Sequence, residues 1–239
     1  MSRPLQPGAV LGVLGGGQLG RMFTLAARRM GYRVSVFAPE DDTPAGQIAY
    51  RETRAPYEDL EAVEGFAREV DVVTFEFENV PAETAAAAAR HAPVRPAAAL
   101  LLEAQHRARE KAGLAALGLP VAPFAVARTA EELERAGRTV GTPAVLKTCA
   151  WGYDGRGQRR VASPADLAPA WRAIGATEAV LERFVEFESE LSVVGVRGLD
   201  GAIALYKPVL NRHRDHVLDV TLCPAPVPDG VRASAQNLA

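Results

Sequence analysis

The chain has 239 residues, 27 Lys and Arg against 29 Asp and Glu, and 48% hydrophobic residues. That composition supports one large or two modest packed domains, and a net charge of −2 offers no basic field for nucleic acid. Cys149 and Cys223 form no CxxC pair, no apolar run reaches the ~18 residues of a membrane span, and the opening MSRPLQPG is too polar for a secretory signal, so a soluble cytoplasmic protein without membrane contact is expected.

Residues 9–14 read as a buried strand running into Gly15, Gly16 and Gly17. Residues 18–30 have helical spacing, with Leu19, Met22, Leu25 and Ala26 on one face, and Gly31 ends the helix. A second strand at 33–37, a turn-rich loop at 39–44, a helix at about 58–68 and a third strand at 71–77 come next. Strands alternating with helices imply a parallel sheet with right-handed crossovers, a Rossmann-like domain over residues 1–102.

Residues 81–90 form an alanine-rich helix with Pro81 in its first turn. Residues 100–117 form another, closed by Gly118 and Pro120, and 103–120 connect to the second half of the chain. The character then changes to short strands around Val145, Val161, Val180, 191–196 and 203–210, with one helix at 164–174. This is an α+β lobe. A last helix spans 231–238, and no internal repeat is visible.

Gly15, Gly17 and Gly20 satisfy G-x-G-x-x-G between a strand and a helix, the dinucleotide fingerprint. That fingerprint also expects an acidic residue at the end of the second strand, and Phe37-Ala38-Pro39 stands there, with Glu40 beyond the proline. A broader reading survives: backbone N–H groups at the helix start hold an anion. In DVVTFEFENVP, residues 71–81, Glu76 and Glu78 are expected on opposite faces, one toward a ligand and one toward solvent. Glu76, with Asn79 second, is the candidate ligand contact; the alternative is a solvated strand end with an Asn-capped helix start.

The most informative segment is AVLKTCAWGYDGRGQ, residues 144–158. A strand delivers Lys147 to a loop in which Gly152, Gly155 and Gly157 alternate with Tyr153, Asp154 and Arg156. Glycines free backbone N–H groups to wrap phosphate oxygens, and the lysine fixes a positive charge beside them. It is not a Walker A loop, whose lysine comes after the glycines.

This segment resembles the ATP-grasp family and, within it, the ATP-dependent carboxylases of purine synthesis, 5-(carboxyamino)imidazole ribonucleotide synthases. The opening GVLGGGQLGRM is similar to theirs, and QHRAREK, residues 105–111, resembles their QDRxxEK, with His106 in place of aspartate. The resemblance implies a pre-ATP-grasp domain at 1–102, a small lobe with a glycine-rich lid at 121–186 and the start of a larger lobe at 187–239. It implies ATP contacts at Arg107, Lys147, Gly152, Tyr153, Asp154, Gly155, Arg156, Gly157, Gln158, Glu182, Arg183, Phe184, Val185, Glu190 and His213. In that set a strand edge at residues 182–185 meets adenine, Glu190 the ribose, and Lys147, Tyr153 and Asp154 serve catalysis. Lys111 shares a helix face with Arg107, and solvent and site are equally open to it. Gly17, Gln18, Leu19, Glu76 and Asn79 would border the sugar-phosphate substrate. His213 and His216 also form HxxH, a possible metal pair without an evident third ligand.

The implied reaction carboxylates 5-aminoimidazole ribonucleotide. ATP phosphorylates bicarbonate, and the resulting carboxyphosphate, or the carbon dioxide it releases, carboxylates the exocyclic amine, with ADP and phosphate leaving. Mg2+ accompanies ATP, with ligands expected beyond Ala239, so the third portion of the family architecture is expected to lie outside this sequence and the 239 residues alone to lack carboxylation. A homodimer is implied. The alternatives are an inactive remnant that binds ATP or a partner chain, and a related ATP-grasp purine enzyme such as the formate-dependent glycinamide ribonucleotide transformylase.

Overall fold

In the computed structural model, which describes residues 4–150, 157–215 and 217–239, the chain divides into an N-terminal unit ending at His106 and a C-terminal unit beginning at Arg107. The N-terminal unit runs β1 (Val10–Leu14), α1 (Gln18–Arg29), β2 (Arg33–Ala38), β3 (Arg51–Arg54), α2 (Leu60–Ala67), β4 (Val72–Phe75), α3 (Ala82–Ala88) and α4 (Ala98–Ala104). Its four strands pair in parallel in the order β3-β2-β1-β4. Leu14 and Phe37 pack on one face with Val63 and Phe66 of α2, Ala85 of α3 and Leu101 of α4. Val13, Val34 and Val36 pack on the other with Ala27 of α1. Both faces of β1 and β2 are covered, so β1 is apolar throughout and β2 is buried from Val34 to Ala38, Ser35 included.

Helix α1 turns the opposite way from its sequence expectation. Leu19, Met22 and Leu25 are 50–59% exposed, whereas Gly20, Thr24 and Ala27 are buried. Small residues bring this helix close to the sheet: a Cβ on Gly20 would sit 3.0 Å from the Gly15 carbonyl. The strand β3 was not anticipated, because RETR is fully polar and lies at the sheet edge. The expected helix at 100–117 is two helices, α4 and α5 (Arg107–Ala116), separated at Gln105 and His106. Gln105, the C-cap residue of α4, keeps right-handed helical backbone angles, and its side-chain Nε2 donates to the carbonyls of Glu78 (2.6 Å) and Val80.

The C-terminal unit continues with β5 (Phe124–Ala127), α6 (Ala130–Val140), β6 (Ala144–Thr148), β7 (Gln158–Val161), α7 (Leu167–Ile174) and β8 (Ala179–Arg183). Then come β9 (Glu190–Ser192), β10 (Gly195–Arg197), β11 (Ile203–Leu205), β12 (Val209–Arg214), β13 (Val217–Leu222) and α8 (Asp229–Leu238). The expected strands at 191–196 and 203–210 are each divided in two. Helix α6 was missed although its signals are present: Thr129 Oγ1 accepts from the Glu132 N–H, and Leu133, Ala136 and Val140 are buried.

Strands β5, β8, β6 and β7 form an antiparallel sheet in that order. Side chains alternate across it. Ala127, Ala144, Leu146, Val161, Ala179 and Leu181 form one face and pack on Leu133 and Ala136 of α6 and Leu167 and Ala170 of α7. The registers then put Phe124, Glu182, Val180, Val145, Lys147, Gln158 and Arg160 together on the other face. Burying the first face orients the second, which carries the charged residues.

Candidate functional site

Lys147 Nζ donates to Glu182 Oε2 at 2.9 Å, and Lys111 Nζ of α5 lies 3.3 Å from the same oxygen. Glu182 is 6% exposed. Its other oxygen, Oε1, is buried with no hydrogen-bond partner among the described residues. Register explains the meeting. Val145 faces Glu182 and Lys147 faces Val180, so Lys147 and Glu182 lie on a diagonal of neighbouring strands, within reach of a long side chain. Lys111 is placed from the side by its helix and stands 5.8 Å from the centre of the Phe124 ring. Of the two possibilities open to Lys111, the structure selects enclosure.

Burying a carboxylate is costly unless it is paired and hydrogen-bonded. Here, among the described residues, the charge is paired twice on one oxygen while the second oxygen has no donor. The arrangement therefore presents one buried acceptor and a locally positive pair of ammonium groups. That suits a ligand with an N–H donor at one end and an anion at the other.

The glycine loop rises from a hairpin whose base is described. Gln158 lies directly opposite Lys147, and the Thr148 N–H donates to the Gly157 carbonyl at 2.8 Å. Gly157 has φ 67°, in the left-handed region that favours glycine. Arg107 Nη1 donates to the Thr148 carbonyl at 2.6 Å, and its own N–H donates to the Cys149 carbonyl. Arg107 is thus brought to the loop base, one residue beyond Lys147. Gly152, Tyr153, Asp154, Gly155, Arg156 and His216 lie outside the described residues.

The expected strand edge at residues 182–185 is not an edge. Strand β8 is interior, flanked by β5 and β6. The N–H groups of Arg183 and Phe184 donate to the carbonyls of Pro123 and Pro143. The Arg183 side chain turns away and donates to the Val140 carbonyl. Phe184 stacks under Arg160, whose guanidinium lies 4.9 Å from the ring centre. Arg160 belongs to the same sheet face, and alternation from Gln158 was the signal that could have found it. Val185 comes just after the strand and is exposed.

Glu190 and His213 are brought together on β9 and β12. His213 Nδ1 is 3.7 Å from Glu190 Oε1, and Asn211 Nδ2 donates to the same oxygen at 3.3 Å. His213 lies inside β12 at a register shift, not after the strand as expected.

In the N-terminal unit, the start of α1 already holds an anion. Glu76 accepts from the N–H of Gly17 at 2.7 Å through Oε2 and from that of Leu19 at 3.2 Å through Oε1. A Cβ would meet Glu76 side-chain atoms at 2.6 Å from Gly15 and 2.5 Å from Gly17. The glycines make room for an internal carboxylate in the position that a dinucleotide pyrophosphate would need. Strand β4 ends at Phe75, so strand alternation, which would put residues two apart on one face, does not apply to Glu76 and Glu78. Glu78 is exposed while Glu76 is half-buried. Gln18 and Leu19 are exposed at the helix start. Asn79 does not cap α3, whose N-cap residue is Pro81 with no side-chain bond. Burial, with Glu40 and Glu76 nearby, pushes the Tyr57 hydroxyl well above the usual tyrosine range.

Residues 9–105 match the ribonucleotide synthetase pre-ATP-grasp domain, and residues 112–239 match the ATP-grasp domain. The chain is 39% identical over 235 residues to N5-carboxyaminoimidazole ribonucleotide synthase of Bacillus subtilis, covering 98% of this chain and 62% of that protein. A crystal structure of an N5-carboxyaminoimidazole ribonucleotide synthetase in its ADP complex superposes with a TM-score of 0.94 at 37% identity, over 100% of this chain and 63% of that one. The enzyme from Aspergillus clavatus in complex with ADP and 5-aminoimidazole ribonucleotide superposes with a TM-score of 0.86 at 30% identity, over 97% of this chain and 61% of that one. The chain therefore spans a little over three-fifths of the length of these relatives. Its mixed α/β architecture, a parallel-sheet domain followed by an ATP-grasp lobe that is incomplete relative to theirs, is the one they share. The chain belongs to the ATP-grasp family.

Proposed function

We propose that this chain supplies the nucleotide-binding face and the glycine-loop domain of an ATP-dependent carboxylase, one that converts 5-aminoimidazole ribonucleotide to its N5-carboxylated product in purine synthesis. The observation that carries the reading is the buried Glu182 with one oxygen shared by Lys147 and Lys111 and the other without a donor among the described residues. The exocyclic amine of adenine is a donor that would satisfy Oε1. The phosphates of the same nucleotide suit Lys147, Arg107 and the loop that begins after Cys149.

In this reading Lys147 and Arg107 offset charge on the phosphates as bicarbonate attacks the terminal phosphorus and ADP leaves. Bicarbonate is a poor electrophile, and phosphorylation gives it a leaving group. The carboxyphosphate formed is water-sensitive, which gives the glycine loop, with Tyr153 and Asp154, a purpose in excluding water. Val185, the first residue past the engaged N–H groups of Arg183 and Phe184, is the remaining backbone partner for the base. Glu190, held by Asn211 and His213, takes the ribose hydroxyls. Gly17, Gln18, Leu19, Glu76 and Asn79 border the ribonucleotide. The nucleotide is its Mg2+ complex, and bicarbonate, a homodimeric assembly and a cytoplasmic location belong to the same proposal. Among the described residues no helix is long and apolar enough to cross a membrane.

The test is ADP release from MgATP with and without 5-aminoimidazole ribonucleotide and bicarbonate, in this chain and in a longer form matching the relatives' length, beside equilibrium binding of MgADP. Release that depends on the ribonucleotide supports the carboxylase. MgADP binding with no response to the ribonucleotide in either form refutes the substrate assignment.

A further inference from the structure

Two ammonium groups on one buried carboxylate are more than its charge requires. Lys147 is the nearer, at 2.9 Å, and its side chain is 28% exposed. Lys111 is 3.3 Å away and more enclosed, at 17%, against the Phe124 ring. Lys147 precedes Thr148, the residue that closes the base of the glycine loop. It is therefore the lysine placed to move toward an anion. Without Lys111, its departure would leave Glu182, 6% exposed and lacking a donor on Oε1 among the described residues, as an uncompensated buried charge.

We propose that Lys111 is a positioning residue for nucleotide binding: it stays as the counter-charge of Glu182 when nucleotide phosphates draw Lys147 off that carboxylate. The inference rests on the nucleotide reading above and assigns to α5 a role in it. Lys111 touches no phosphate in this scheme. It makes the exchange of Lys147 from carboxylate to phosphate cheap, because the buried carboxylate keeps one partner throughout.

The experiment measures MgADP and adenosine binding by calorimetry for the unaltered chain, Lys111→Met, Lys111→Arg, Glu182→Gln and the double variant Lys111→Met/Glu182→Gln. Lys111→Met is expected to weaken MgADP about 30-fold, which corresponds to about 2 kcal/mol, and Lys111→Arg to recover most of it. Adenosine carries no phosphate to draw Lys147 away, so its affinity should change by less than about twofold, the scale of a non-interacting change. In the Glu182→Gln background the neutral amide needs no counter-charge, and adding Lys111→Met should cost little further MgADP affinity. Equal weakening of adenosine and MgADP, or an undiminished Lys111→Met penalty in the Glu182→Gln background, overturns the positioning role. Absence of MgADP binding by the unaltered chain refutes instead the nucleotide reading on which it rests.

Discussion

Replacing Gly17 by alanine tests whether the turn of Gly15 to Gly17 is shaped around Glu76. Gly17 has φ −77° and ψ −159°, a conformation open to alanine, so backbone strain contributes nothing. The obstacle is contact: the new Cβ would stand 2.5 Å from Glu76 Oε1 and 3.3 Å from Cδ. The carboxylate must withdraw and loosen its bonds to the N–H groups of Gly17 and Leu19. A hydrogen bond to a charged group contributes ~1.5–3 kcal/mol. The Gly17 bond is partly buried and the Leu19 bond exposed, so we expect about 2 kcal/mol for the pair, plus ~0.5–1 kcal/mol for alanine at a helix N-cap. Gly17→Ala should therefore cost about 2.5–3 kcal/mol, and Glu76→Ala alone about 2 kcal/mol. In the Glu76→Ala background the collision is gone and Gly17→Ala should cost only the N-cap part, a coupling of about 2 kcal/mol. Urea unfolding, with amide hydrogen exchange over residues 15–29 to localise the effect, measures all four corners of the cycle. An equal Gly17→Ala cost in both backgrounds would refute the argument.

The same structure makes contrasting predictions for apolar side chains. Leu146 is fully buried between β6 and its helices, so Leu146→Ala should cost ~2–5 kcal/mol in chemical unfolding, whereas Met22→Gln on the exposed side of α1 should stay within ~0.5 kcal/mol. For the thiols, burial, followed by the nearby Glu178, pushes Cys149 up to about 11, while Cys223 is exposed. One thiol per folded chain should react rapidly with a disulfide reagent near neutral pH, and Cys149 only on unfolding. The unfolded thiol titrates near ~8.5. The folded state therefore holds its proton longer, and this contribution is full below that pH and lost as the pH rises through about 11. A Cys149→Ala variant should show a shallower decline of Tm over that window, and an unchanged decline would show that the thiol is not its source.

Local pattern made part of the fold legible in the sequence. Residues 9–14 announced a buried strand by their apolar run, the alternation of strands with helices announced a parallel sheet, and Lys147 announced itself by leading into glycines. Helix α6 was equally legible, through Thr129 with Glu132 and the spacing of Leu133, Ala136 and Val140. The division of 100–117 was not, because both halves have helical propensity, and the contacts that accompany the break, from the Gln105 side chain to carbonyls 25 and 27 residues earlier, are long-range. Pattern alone also misassigned α1, where apolar spacing pointed to Leu19, Met22 and Leu25 while the sheet selected the smaller face that packs closest.

The site residues divide along the same line. Lys147 and Glu182 were each identifiable from local motifs, yet their meeting depends on β8 lying between β5 and β6, a pairing order that no single segment encodes. That order removed the strand edge expected at residues 182–185 and turned Glu182 inward. It also gives Lys111 its significance, since a lysine on a weakly amphipathic helix is ordinary until a buried carboxylate is placed 3.3 Å from it. Glu76 makes the corresponding case in the N-terminal unit. Its partner N–H groups are 57 and 59 residues away in sequence. The GxGxxG spacing shows that something must approach the backbone closely, and only the fold shows that a carboxylate of the chain itself is there.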